Sequence, residues 1–162
     1  MEKGGESIQP KIEKEKSLRV CQVKNFDELE KIRMIGDSEE VQMGDCLLLR
    51  KNEDITAYSY GAGPCISGVL QTEDNKIYMF HSVASILTQE QIEIIRNTKK
   101  GIVGGGIESL DNFSSEFKNK NIKVIPSFGE NYDFNIVFVK AENQFKVSPG
   151  IYYCYDQLNI NQ

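Results

Sequence analysis

Histidine occurs once in this chain, at position 81, and that scarcity removes a large class of sites. A structural zinc site draws its ligands from cysteine and histidine at short, fixed spacings. The four cysteines, Cys21, Cys46, Cys65 and Cys154, form no C-x-x-C pair and have one imidazole to share, so no zinc site of ordinary spacing is expected. Long apolar runs are also missing. Nothing approaches the roughly 20 residues that a membrane-spanning helix needs. A basic surplus is missing as well. The net charge is −5 and the pI about 5.0, which argues against nucleic acid as a partner, because phosphate contacts need a basic face. The opening MEKGGESIQPKIEKEK has no apolar stretch behind its charges and does not read as a secretory signal. Reduced thiols in the cytoplasm are the expectation, with delivery to a host cell by a signal-free route left open.

What is present suits a single globular unit. The 162 residues, 40 % apolar and 27 % charged, are enough for one domain with a hydrophobic core. Residues 1–17 are rich in lysine and glutamate without apolar periodicity and read as a disordered charged tail. Residues 18–162 read as one domain. LRVCQV (18–23) reads as a short strand. Asn25 with Glu28 has the form of a capping box ahead of a helix over 26–34. CLLLR (46–50), ITAYSY (55–60), CISGVLQ (65–71) and IYMFHS (77–82) read as strands. The last two form a hairpin about the turn Glu73-Asp74-Asn75-Lys76. Thr88 with Gln91 starts a second helix, TQEQIEIIRNTKK. GIVGGGIES reads as a strand and a glycine loop that lets backbone come close to the hairpin. Leu110, Phe113 and Phe117 give a third helix an apolar face over 110–119. IKVIPS, FNIVFVKA, QFKVS and IYYCY complete the strands. The class is α+β: mixed and antiparallel sheets packed as a sandwich, with helices outside.

The stretch SYGAGPCISGVLQTEDNKIYMFHS raises the functional question. Cys65 opens one strand of the hairpin and His81 closes the next. A thiol becomes a nucleophile once a neighbouring base takes its proton, which requires the two groups within roughly 3–4 Å. Antiparallel neighbours lie about 4.8 Å apart, and a turn centred near residues 73–74 sets the two face to face. The same residues also suit a buried cysteine and a packed histidine. Spacing alone does not separate these readings.

The surrounding residues carry a resemblance. VQMGDCLLLRKNEDITAYSYGAGPCISGVL resembles the opening of the chemoreceptor glutamine deamidase (CheD) family, with its T-x-G-x-G-S-C pattern and a histidine after the hairpin. Here the pattern falls on Ser59-Tyr60-Gly61-Ala62-Gly63-Pro64-Cys65. GIVGGGIES resembles the family's K-x-F-G-G-A strand, and NFSSEFKNKNIKVIPSFGENYDFNIVFVKAENQFKV its closing region. The likeness covers roughly residues 40–148. Deamidase toxins of the cytotoxic necrotizing factor type look like distant relatives. The chain departs from the pattern at Pro64, where the family tends to serine and where no N–H is available. It departs again at Met79-Phe80, which is bulkier than the family's approach to its histidine.

The resemblance implies a CheD-like fold and a cysteine hydrolase that converts a glutamine of a protein substrate to glutamate, releasing ammonia. The target would be a chemoreceptor or the target of a bacterial effector. It implies Cys65 as nucleophile, His81 as general base and then acid, and Ser59 as the hydroxyl that orients the imidazole. It also implies the backbone N–H of Cys65 in an oxyanion site. The chemistry needs no cofactor. The partner implied is the glutamine-bearing protein, with a regulatory protein a further candidate. Two other readings stay open: a non-catalytic protein-binding module on the same fold, and a related transglutaminase or protease activity.

Overall fold

The computed structural model describes residues 19–34, 37–49, 55–118, 120–126, 132–142 and 147–157, the side chains of Tyr132, Asp156 and Gln157 excepted. The charged tail expected over 1–17 lies outside the described residues. So does most of QFKVS, whose last residues, Val147 and Ser148, are not in a strand.

In chain order the elements are β1 (Val20–Gln22), α1 (Phe26–Arg33), β2 (Ser38–Glu40), β3 (Cys46–Leu49), β4 (Thr56–Ala62), β5 (Ile66–Thr72), β6 (Ile77–His81), α2 (Gln89–Arg96), β7 (Thr98–Gly105), α3 (Ile107–Asn112), α4 (Ser114–Phe117), β8 (Asn121–Pro126), β9 (Tyr132–Val139) and β10 (Gly150–Gln157). They form two mixed five-stranded sheets, ordered β1-β10-β9-β4-β2 and β3-β6-β5-β7-β8. The α+β sandwich read from the sequence is the architecture found. No helix among the described residues is long and apolar enough to cross a membrane.

Period-two alternation sorts the side chains into three apolar layers. Between the sheets lie Ala57, Phe134, Ile136, Phe138, Ile151 and Tyr153 from the first, and Val69, Met79 and Ile102 from the second. On the outer face of the second sheet, Ile66, Leu70, Phe80 and Val103 are covered by Ile95 of α2, Leu110 of α3 and Phe117 of α4. On the outer face of the first, Val137, Val139, Tyr152 and Cys154 meet Leu29 of α1. Leu29 is fully buried, which is worth about 1.5–3 kcal/mol and fixes which way α1 rolls.

Local chemistry explains the boundaries. Asn25 Oδ1 accepts the N–H of Glu28 at 2.9 Å, while the Glu28 carboxylate reaches back to the N–H of Lys24 at 3.2 Å, one residue before the expected partner. The capping box of α2 closes fully, with Thr88 and Gln91 exchanging both bonds. That helix ends at Arg96 rather than Lys100, because Thr98 pairs with Thr72 and starts β7. The single helix expected over 110–119 starts earlier, at Ile107, and breaks at Phe113 (φ −113°, ψ 15°) into α3 and α4, although its apolar face stays in one layer. The tyrosine-rich strand β10 lies inside its sheet, flanked by β1 and β9.

Candidate active site

The site begins with the turn of the β5–β6 hairpin. Thr72 accepts the N–H of Asn75 at 2.9 Å and donates its own to Lys76 at 2.8 Å, and Asn75 takes φ 68°. This is a three-residue loop with a left-handed last residue, a conformation asparagine tolerates. It centres the hairpin on Asp74, one position beyond the centre at residue 73 that would set Cys65 opposite His81. Each position moves the partner of His81 by two residues, so Ser67 stands opposite His81. Cys65 lies two residues before Ser67, diagonal to the histidine. The N–H of Ser82 donates to the Ile66 carbonyl at 2.8 Å, and that of His81 points away to Asp45 at 3.2 Å. Ser67 and His81 are therefore a pair of the closely approaching, non-hydrogen-bonded kind.

His81 and Ser67 project into the layer between the sheets, beside Met79 and Val69 on the same strands. Cys65 packs in that layer too. There His81 meets Ser59 of the opposite sheet, with Ser59 Oγ and His81 Nδ1 2.8 Å apart. Ser59 is fully buried and His81 is 4 % exposed. The inward aim of Ser59 depends on a bulge. The β4–β9 register shifts between Ser59 and Ala62, so both face inward although three positions apart. Gly61 absorbs the irregularity at φ 78°, and the ladder bond it loses is replaced by the Asn135 side chain, Oδ1 accepting its N–H at 2.8 Å.

The histidine backbone is clamped from outside the hairpin. Gly44 N–H donates to the His81 carbonyl at 2.7 Å, and Gln91 Nε2 donates both to that carbonyl and to that of Asp45, each at 3.0 Å. Gln91 thus caps α2 with its oxygen and fixes the site with its nitrogen. The sequence marked only the capping role, since its spacing to Thr88 is local and its reach to residues 45 and 81 is not. Burial pushes the His81 imidazole below its ordinary pKa of 6.5 and keeps it neutral.

Cys65 is 4 % exposed and held by the loop that the sequence singled out for its glycines. Gly106 N–H donates to the Cys65 carbonyl at 3.1 Å, and Ser109 Oγ to the Pro64 carbonyl at 2.5 Å. A side chain at Gly105 (φ 142°) would put Cβ 2.1 Å from the Cys65 oxygen, and one at Gly106 would put it 2.6 Å from the Gly63 oxygen. Only glycine permits that approach. A peptide unit is planar with N–H opposite C=O, so anchoring the Pro64 carbonyl on Ser109 turns the N–H of Cys65 the other way. That N–H makes no hydrogen bond among the described residues. Ser109 carried no sequence signal; it sits on α3, far along the chain.

The structure joins Ser59 to His81 and brings Cys65 to the same layer, but no hydrogen bond links the thiol to the imidazole. His81 Nε2 and Ser67 Oγ, both buried, have no partner among the described residues. The other cysteines stand elsewhere: Cys154 is buried in the α1 layer, Cys21 packs against the same layer, and burial pushes the Cys46 thiol up to about 12. No group of three or more metal-ligating side chains occurs among the described residues. No protein-family model matches the chain, and no curated protein matches its sequence.

Proposed function

We propose that this protein is a cysteine-dependent protein-glutamine deamidase. The observation that carries the reading is the fully buried Ser59 Oγ, 2.8 Å from His81 Nδ1, with the other ring nitrogen unpartnered in the layer that holds Cys65. When Nδ1–H donates to Ser59, the lone pair on Nε2 is the one free to accept a proton. The Cys65 thiol gives its proton to Nε2, and a small side-chain movement closes the diagonal between them, as catalytic bonds tighten on binding. The thiolate attacks the glutamine carboxamide carbon. The oxyanion that forms accepts from the unpaired N–H of Cys65. His81 returns the proton to the departing nitrogen, ammonia leaves, and a thioester remains. Water then cleaves it, with His81 as base, leaving glutamate and the free thiol. A glutamine-bearing protein is the substrate class, and the new negative charge is the signal the product carries.

The 4 % exposure of both Cys65 and His81 favours one competing reading, a protein-binding module on the same fold with a closed, idle site. Intact-mass analysis of candidate targets separates the two. Deamidation adds the mass of exchanging an amide nitrogen for oxygen and releases ammonia. Both signals disappear in Cys65→Ser. If the wild-type protein produces neither with any target it binds, the deamidase reading fails.

A further inference from the structure

Ser67 Oγ and His81 Nε2 are the unpaired polar atoms of two residues that stand opposite each other in a closely approaching pair. Cβ atoms in such pairs are about 4.5–5.5 Å apart. A buried hydroxyl and a buried ring nitrogen left unpaired are expensive, and native interiors satisfy such groups with protein atoms or ordered water. No protein atom among the described residues does so here. The occupant must be small, because Ser67 is fully buried. It must also accept from the serine hydroxyl and donate to a nitrogen lone pair. Water meets both conditions, and the Cys65 thiol, two residues from Ser67 in the same layer, offers a weak third partner.

We propose that Ser67 and His81 hold one water between them, which leaves Nε2 while the thiol gives up its proton and returns in the acyl-enzyme, and that this water is the nucleophile that resolves the thioester on Cys65. The inference rests on the thiol chemistry proposed above. In the step, the water oxygen bonds to the thioester carbon as one water proton passes to Nε2. The carbon–sulfur bond then breaks, the electron pair stays on sulfur, and His81 returns the proton to the thiolate. Ser67 acts through the water and is a positioning residue. Its consequence is a choice of acceptor: a water already held beside the thioester outcompetes an amine arriving from solution, so the enzyme hydrolyses rather than cross-links.

The test is the partition of the acyl-enzyme between water and an added primary amine, measured by mass spectrometry on a deamidated target, for the wild type and for Ser67→Ala. The expected result is a ratio of amine incorporation to hydrolysis that rises about tenfold or more in the variant, while the first burst of ammonia is retained. Parallel loss of both products at an unchanged ratio would mean that Ser67 matters only to folding and would overturn the proposal. A second measurement does not depend on activity. A high-resolution crystal structure should show a water bonded to both Ser67 Oγ and His81 Nε2 in the wild type and not in Ser67→Ala. A dry site overturns the inference even if deamidation is found, and an occupied site upholds the water's placement even if no glutamine is deamidated.

Discussion

Replacing Ser59 with alanine deletes one oxygen from the layer between the sheets and leaves His81 Nδ1 without its partner at 2.8 Å. Both residues are buried, so water does not readily replace the hydroxyl, and the loss in stability is about 1–3 kcal/mol. The direction of the accompanying pKa change tests the mechanism. If Nδ1–H donates to Oγ, the hydroxyl accepts from the neutral and the charged ring alike, and more strongly from the charged one. Removing it then lowers a pKa that burial already holds below 6.5. If the serine instead donates to a bare Nδ1, it favours the neutral ring, and removing it raises the pKa. Only the first arrangement leaves Nε2 free to take the thiol proton. Because His81 is the only histidine, its imidazole signals in a proton–nitrogen NMR titration need no assignment. Ser59→Ala should show a lower pKa, Ser59→Thr a return toward wild type, and deamidation by Ser59→Ala should fall by roughly 5- to 150-fold if the same 1–3 kcal/mol is lost at the transition state. A raised pKa in Ser59→Ala would refute the assigned tautomer and with it the role of His81 as base.

Other consequences are open to measurement. A histidine held neutral by burial binds its proton more readily once unfolded, so its share of stability is complete above pH 6.5 and drains away as the pH falls through that value. Unfolding free energies from urea titrations of the wild type should therefore drop by up to about 1.4 kcal/mol per pH unit more than those of His81→Gln as the pH falls below 6.5, and equal slopes would contradict the burial of the ring. Gly104→Ala would place a methyl 2.4 Å from Cδ1 of Phe134, whose ring is boxed in by Tyr153 and Tyr155, and should lose about 1–3 kcal/mol in chemical denaturation. Gln91→Leu removes the return bond of the α2 capping box, from Thr88 N–H to the Gln91 side chain, and both bonds to the site, and should lower stability by about 1–3 kcal/mol or more while slowing any Cys65-dependent turnover; unchanged stability would show the clamp to be idle. In native-state alkylation Cys154 should stay unmodified until the protein is unfolded and the half-buried Cys46 should label slowly, and early labelling would contradict the burial of the first or the raised pKa of the second.

The sheets were legible because alternation and turn chemistry are local. Each strand read from 46 to 82 lies within two residues of its observed ends. β2 was not legible: Ser38-Glu39-Glu40 has no apolar alternation and is a strand because β4 offers it a parallel edge. The site divides in the same way. Cys65, His81 and Ser59 stood out by spacing and resemblance, and the structure bonds the last two together. The neighbour of His81 did not stand out, because the hairpin register depends on Asn75 adopting a left-handed conformation, and that shift replaces cysteine with serine as the facing residue. Gln91 and Ser109 were invisible as site residues because their partners are distant in sequence, at positions 45, 81 and 64.

The 2.8 Å contact between Ser59 and His81 is made by two different sheets. Neither sheet by itself owns the pair. A chain emerging from the ribosome, or one pulled partly open, carries an imidazole that Ser59 does not orient. Whatever the pair does, it begins only when the two halves of the sandwich have met, so its onset during refolding reports the meeting of the two sheets.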